Sequence, residues 1–126
     1  MLLNQASAAT STSLLRPQSA ANTAAATTPS GQWLDVRPYD GEIMVTLDLG
    51  AVTGSLTGKL QSATDNTGAG ATDITGATFG TTAQNTTTKI VVDPKAVVGG
   101  FLGFVGTIVT GPALVSVTAS GKKKIV

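Results

Sequence analysis

An all-β fold, a sandwich or jelly roll of about seven to eight antiparallel strands, is what the sequence predicts. Three observations predict it. Short apolar stretches recur at roughly 10-residue spacing from Gln32 onward, punctuated by Gly, Pro, Asn and Asp. Within several of them apolar and polar residues alternate with the period of two that a strand needs to bury one face. No stretch carries a convincing helical period.

Taken in order, Gln32–Val36 reads as a first strand ending near Pro38. Glu42–Leu49 alternates well, with Ile43, Val45, Leu47 and Leu49 on one face and Glu42, Met44, Thr46 and Asp48 on the other. Ser55–Ser62 sets Leu56, Gly58 and Leu60 against Thr57, Lys59 and Gln61. Asp65–Thr72 is a Gly/Asn/Thr loop, and Ile74–Phe79 a short extended piece. Thr86–Val92 is β-branched, carries Ile90, Val91 and Val92, and stops at Asp93-Pro94. Phe101–Val109 sets Phe101, Gly103 and Val105 against Leu102, Phe104 and Ile108, and Leu114–Ala119 closes the series. The predicted core is Trp33, Ile43, Val45, Leu47, Leu56, Leu60, Phe79, Ile90, Val92, Leu102, Phe104, Ile108, Val115 and Val117. With three Phe and one Trp that core is modest, and the expected stability is about 5 kcal/mol.

Residues 1–31 differ from this body. They are rich in Ala, Thr, Ser, Asn and Gln, have Arg16 as their one charge, and show no sustained period. They read as an extended N-terminal arm before a domain at 32–120, with 121–126 as a basic tail. Thirty extended residues reach roughly 100 Å. The expected partner contacts are Leu2, Leu3, Leu14, Leu15 and Arg16 in the arm, and Lys122, Lys123 and Lys124 in the tail. Ile125-Val126 gives that tail an apolar end that can add to a neighbour's sheet.

Composition excludes more than it includes. The 126 residues suffice for one domain and contain no Cys and no His. That removes disulfides, thiolate nucleophiles, His or Cys zinc sites and the commonest general base near neutral pH. Only 12% of residues are charged, against about 25% in typical proteins. At a net charge of +1 no long-range field draws in nucleic acid. A surface of Thr and Ser in place of Lys and Glu is poorly protected against association, which suits a protein packed in an assembly.

Candidate chemistry is weak throughout. Ala6-Ser7-Ala8 has the form of a signal-peptidase site, but only Leu2 and Leu3 stand before it as an apolar core. Ala96–Gly121 is free of charge and is followed by Lys122–Lys124, long enough to cross a bilayer. Gly99, Gly100, Gly103, Gly106 and Gly111 within it, the pair Gly111-Pro112 and a β-branched run make a buried β-hairpin the better expectation, and no membrane partner is expected. The Asp65–Asp73 loop offers oxygen ligands among glycines, but it has only two carboxylates and lacks EF-hand spacing, so no metal is expected. Among Asp35, Asp40, Glu42 and Asp48, the pair Glu42 and Asp48 shares a strand face but lies roughly 20 Å apart, too far for a glycosidase pair. No catalytic residue and no cofactor is expected.

Certain runs have a familiar order. Trp33-Leu34-Asp35-Val36-Arg37-Pro38-Tyr39-Asp40-Gly41-Glu42 leads into Leu47-Asp48-Leu49-Gly50-Ala51-Val52-Thr53-Gly54-Ser55-Leu56. Lys59-Leu60-Gln61-Ser62-Ala63-Thr64-Asp65 and Asp73-Ile74-Thr75-Gly76-Ala77-Thr78-Phe79 follow. Over about residues 32–120 this resembles small structural proteins of tailed bacteriophages, capsid decoration (cement) proteins among them. The resemblance implies a sandwich or jelly-roll body on the capsid surface, often trimeric, bound to the major capsid protein, with arms gripping neighbouring subunits. It implies assembly in the host cytoplasm, and it brings no catalytic residue. The competing expectations are a secreted or surface β-sandwich binding module of adhesin or pilus type, or another phage head or tail component.

Overall fold

The computed structural model describes residues 9–20, 25–52, 54–108 and 113–123. Among them are nine strands: β1 (Ala9–Ala20), β2 (Ala25–Thr27), β3 (Leu34–Asp35), β4 (Tyr39–Val52), β5 (Leu56–Ala63), β6 (Thr72–Thr82), β7 (Thr86–Val92), β8 (Phe101–Ile108) and β9 (Ala113–Lys123). One 3-10 turn, Pro94–Ala96, follows β7 and is capped by the Asp93 carboxylate, which accepts from Lys95 N–H. No helix among the described residues is long and apolar enough to cross a membrane, and Ala96–Gly121 supplies β8 and β9 instead.

The strands form two antiparallel sheets packed as a β-sandwich. The first has the order β1-β9-β4-β7, and the second β2-β8-β5-β6 with β3 also on β8. Strands β2 and β3 lie in series along one edge of β8: Thr27 pairs with Val105, and Leu34 with Leu102. Together they fill one strand position, interrupted by an excursion at 29–33. That accounts for the extra count over the seven to eight strands expected. The inner faces bury what alternation assigns to them, including Ile43, Val45 and Leu47 from β4, Leu56 and Leu60 from β5, and Leu102, Phe104 and Ile108 from β8. Ile90, expected in the core, is only partly buried because β7 is the sheet's outermost strand.

The reading of residues 1–31 as an arm is corrected for every described residue in it that pairs. Residues 9–20 form β1 on β9, and 25–27 form β2 on β8. Leu14 and Leu15, expected as docking points for a partner, are 0% and 1% exposed and belong to this chain's own core. Two neighbouring residues can both point inward because β1 is bulged. Ser13 pairs with Thr118 and Leu15 with Val117, so β1 inserts an extra residue where β9 takes one step. A second shift between Leu15 and Gln18 accommodates Arg16 and Pro17, whose missing N–H an edge strand tolerates.

The tail boundary shifts as well. Lys122 and Lys123 lie within β9, where Lys122 pairs with Asp40 and Lys123 with Tyr39. Leu2, Leu3 and Lys124 lie outside the described residues.

Candidate functional site

The face of the first sheet turned away from the core carries a pattern of its own. Alternation puts every second residue of four strands on it, and the register arranges these in rows. One row runs Ser11, Ser120, Met44, Val91. The next runs Ser13, Thr118, Thr46, Lys89, and a third Ser116, Asp48, Thr87. Small hydroxyls dominate, and some of them hydrogen-bond across strands. Ser11 Oγ lies 2.8 Å from Ser120 Oγ, and Thr87 Oγ1 donates to Asp48 Oδ1 at 2.7 Å. Hydroxyl pairs of this kind stabilise a sheet by only about 0.2–1 kcal/mol each. Together they leave a face rich in small hydroxyls, on which Glu42 and Asp48 of β4 and Lys89 of β7 carry charge. Met44 and Val91, neighbours across β4 and β7, are 40% and 56% exposed, an apolar spot within that surface.

The outer face of the second sheet is built differently. Trp33 is 6% exposed, yet it stands apart from the core between the sheets. It packs on Gly103, which faces away from Leu102 and Phe104 on β8, and the loop after β5 covers it through Gly68. Trp33 Nε1–H donates to the Thr28 carbonyl at 3.2 Å, while Gly31 N–H donates to Asn66 O at 2.8 Å and ties the excursion to the loop. The Gly-rich loop read as a possible cation site is thus a lid over an indole. Its Asp65 Oδ1 is engaged by Thr67 N–H at 2.9 Å and Thr67 Oγ1 at 2.6 Å. No group of three or more His, Cys, Asp or Glu gathers among the described residues.

A Cβ at Gly103 would collide with the indole ring. Gly103→Ala is therefore expected to cost about 1–3 kcal/mol through overpacking. It should also shift the fluorescence of the single Trp to the red as Trp33 leaves its slot. A variant of unchanged melting temperature and emission maximum would contradict this.

The carboxylates are distributed rather than clustered. Asp35 forms a two-pronged ion pair with Arg37, at 2.9 Å from both Nε and Nη2, and the guanidinium lies 5.2 Å from the Phe101 ring centre. Lys59 Nζ stands 2.9 Å from Asp73 Oδ1, and Gln61 donates to the same oxygen at 2.8 Å. Glu42 and Asp48 are both exposed on the outer face of β4 with Met44 and Thr46 between them.

Hydrogen bonds from Arg37 hold Asp35 below the usual carboxylate range, those from Gln61 and Lys59 do so for Asp73, and those from Thr67 for Asp65. Each group binds its proton more weakly folded than unfolded, so its contribution is present above the ordinary value of 3.8 and is lost as pH falls through the depressed one. The expected melting temperature is level above about pH 5 and declines below about pH 4. In Asp35→Asn and Asp73→Asn the level part is lower and the acid decline shallower. A decline that begins near neutrality would contradict the assignment.

Arg16 lines an open cleft of ≈ 520 Å³ with Ser11, Gln32, Trp33 and Asp35, between the edges of the two sheets. A second cleft, of ≈ 340 Å³, brings Arg37, Tyr39, Asp40, Asp93 and Lys95 together.

Among solved structures, the fold is similar to that of the SPBc2 prophage-derived protein YomS, with a TM-score of 0.53 and 15% identity over 92% of this chain and 94% of that one. At that identity the two share a fold, and the sandwich spans nearly the whole of both. No family model matches the chain. No curated protein matches it.

Sequence reasoning reached the alternating faces and thus the outer face of β4. It missed the rows, because register between strands distant in sequence is not written in local periodicity. It also missed the lid over Trp33. The signal available there was Gly103 in the middle of a buried strand, since a strand glycine often marks a close approach.

Proposed function

We propose that this protein is a structural component of a phage virion, and more specifically a decoration protein that binds the outside of the head and stabilises it. It acts by contact and not by catalysis. The observation that carries the reading is the fold shared with a prophage-derived protein over almost the full length of both chains. The hydroxyl-rich outer face of the first sheet supports it, in a chain of which only 12% is charged, because the centres of interfaces are depleted in charged residues. The partners in this reading are the major capsid protein and other copies of the chain, assembled in the host cytoplasm.

The outer face, and not a free arm at residues 9–20, is the contact surface, since β1 is spoken for by the sandwich. Introducing charge at its centre with Thr46→Lys and Thr118→Glu should leave the melting temperature within a few degrees while weakening head binding at least tenfold. Heads assembled without this chain, mixed with the purified protein and sedimented, give the test. Saturable uptake in fixed ratio to the capsid protein is expected. Absence of the chain from purified virions and from saturated heads would overturn the reading. Its recovery on tails instead would keep the virion role and overturn the decoration role.

A further inference from the structure

Among the described residues each sheet of the sandwich ends in two edges paired on one side only, and these edges are not equally protected. On β1 the two register shifts and Pro17 interrupt the ladder. The β2–β3 edge is broken into pieces of three and two residues. Strand β6 is shifted twice against β5 and contains Gly76 and Gly80 at positive φ. These are the devices by which an exposed edge avoids pairing with another chain. Strand β7 has none of them. Its seven residues pair with β4 in seven consecutive steps without a shift, and Pro94 comes only after it ends. Its Lys89 is its one charge, and its apolar Val91 is exposed.

We propose that β7 pairs with β7 of a second copy, antiparallel about a two-fold axis through Val91, joining two four-stranded sheets into one of eight. Charge selects this register. Lys89 and Asp93 lie two residues to either side of Val91, both exposed, and the backbone remains extended at Asp93 with φ −77 and ψ 129. Centring on Val91 sets Lys89 of each copy opposite Asp93 of the other, twice over. Centring on Lys89 would instead set like charges face to face, which is destabilising. In the favoured register Val91 meets its own copy, with Met44 flanking it on each side. Ile90, half-covered on the outermost described strand of its sheet, gains a neighbour opposite it in Val92 of the second copy. A bare, regular edge thus becomes a closed two-fold contact that cannot propagate into a fibre.

The pairing stands independently of head binding, and sedimentation velocity on the purified full chain tests it. The wild type is expected to show a reversible equilibrium between one and two chains. Val91→Lys should abolish the dimer. Lys89→Asp should weaken it about tenfold, since two attractive pairs become repulsive. The combination Lys89→Asp with Asp93→Lys should restore it, and that rescue separates pairing from misfolding. Melting temperature is followed alongside. The inference is overturned by a wild type that stays monomeric at every concentration. It is equally overturned by a dimer indifferent to Val91→Lys or not restored by the charge exchange, or by a trimer, as the resemblance implies, whose mass these changes leave untouched.

Discussion

Deleting residues 1–20 is expected to unfold the protein outright. The deletion removes β1, and with it Leu14 and Leu15, at 0% and 1% exposure. Replacing one fully buried Leu by Ala costs about 2–5 kcal/mol, and two neighbours in one core do not cost less. Their sum, about 4–10 kcal/mol, is of the size of the roughly 5 kcal/mol expected for a domain with so modest a core. Deletion also strips β9 of a partner along Ala113–Lys122 and exposes its N–H and C=O groups as a new edge. Far-UV circular dichroism and amide proton dispersion of the truncated chain give the measurement. Were residues 1–20 a detachable arm, the remainder would melt at the wild-type temperature, and that result would refute their place in the core. Leu14→Ala and Leu15→Ala give a graded version, each expected to lower stability by about 2–5 kcal/mol. A loss of partner binding in any of these variants would then report unfolding, not a missing contact.

The same two leucines show what the sequence conceals. Strands β4, β5 and β7 to β9 were legible because their core residues sit mostly at two-residue spacing, and Thr86–Val92 coincides with β7 to the residue. Strand β6 was reached only as Ile74–Phe79, since its buried Ile74 and Ala77 stand three residues apart. Strand β1 was not legible because its bulges break that spacing twice, so Leu14 and Leu15 stand side by side and Pro17 reads as a stop. Trp33 was rightly expected to be buried, but on the wrong face, since only the register of β3 on β8 and the path of the loop after β5 reveal the second small cluster. Val91 was read with Ile90 and Val92 as one apolar set, yet it points outward beside Met44. That β7 ends its sheet is likewise a property of strand order. Periodicity tells which face of a strand is buried and is silent on whether another strand lies beside it.

The largest expected effect of a single substitution falls on Phe104. Its ring fills space left open by Gly58 on β5, which stands between Gly80 of β6 and Gly106 of β8 in the register. A Cβ at Gly58 would lie 2.6 Å from Phe104 Cε1, so the ring rests directly on the backbone of β5. Phe79, beside the bulge that turns at Gly80, meets Phe104 edge to face at 5.8 Å between ring centres. Phe104 is 0% exposed, and the backbone it packs on is locked in a ladder of eight consecutive pairs between β5 and β8, so the sheet cannot collapse into the space left behind. Phe104→Ala is therefore expected at the upper end of the usual 3–5 kcal/mol, leaving a chain partly unfolded at room temperature. Phe104→Leu, which keeps most of the volume, should cost under about half as much. Gly58→Ala approaches the same contact from the other side, adding the carbon the ring excludes. In the double variant Gly58→Ala with Phe104→Leu the smaller side chain makes room for the added methyl, so the two costs should add to less than their sum. Urea denaturation of the four proteins measures the coupling. Strict additivity would mean that the ring does not rest on β5 as described.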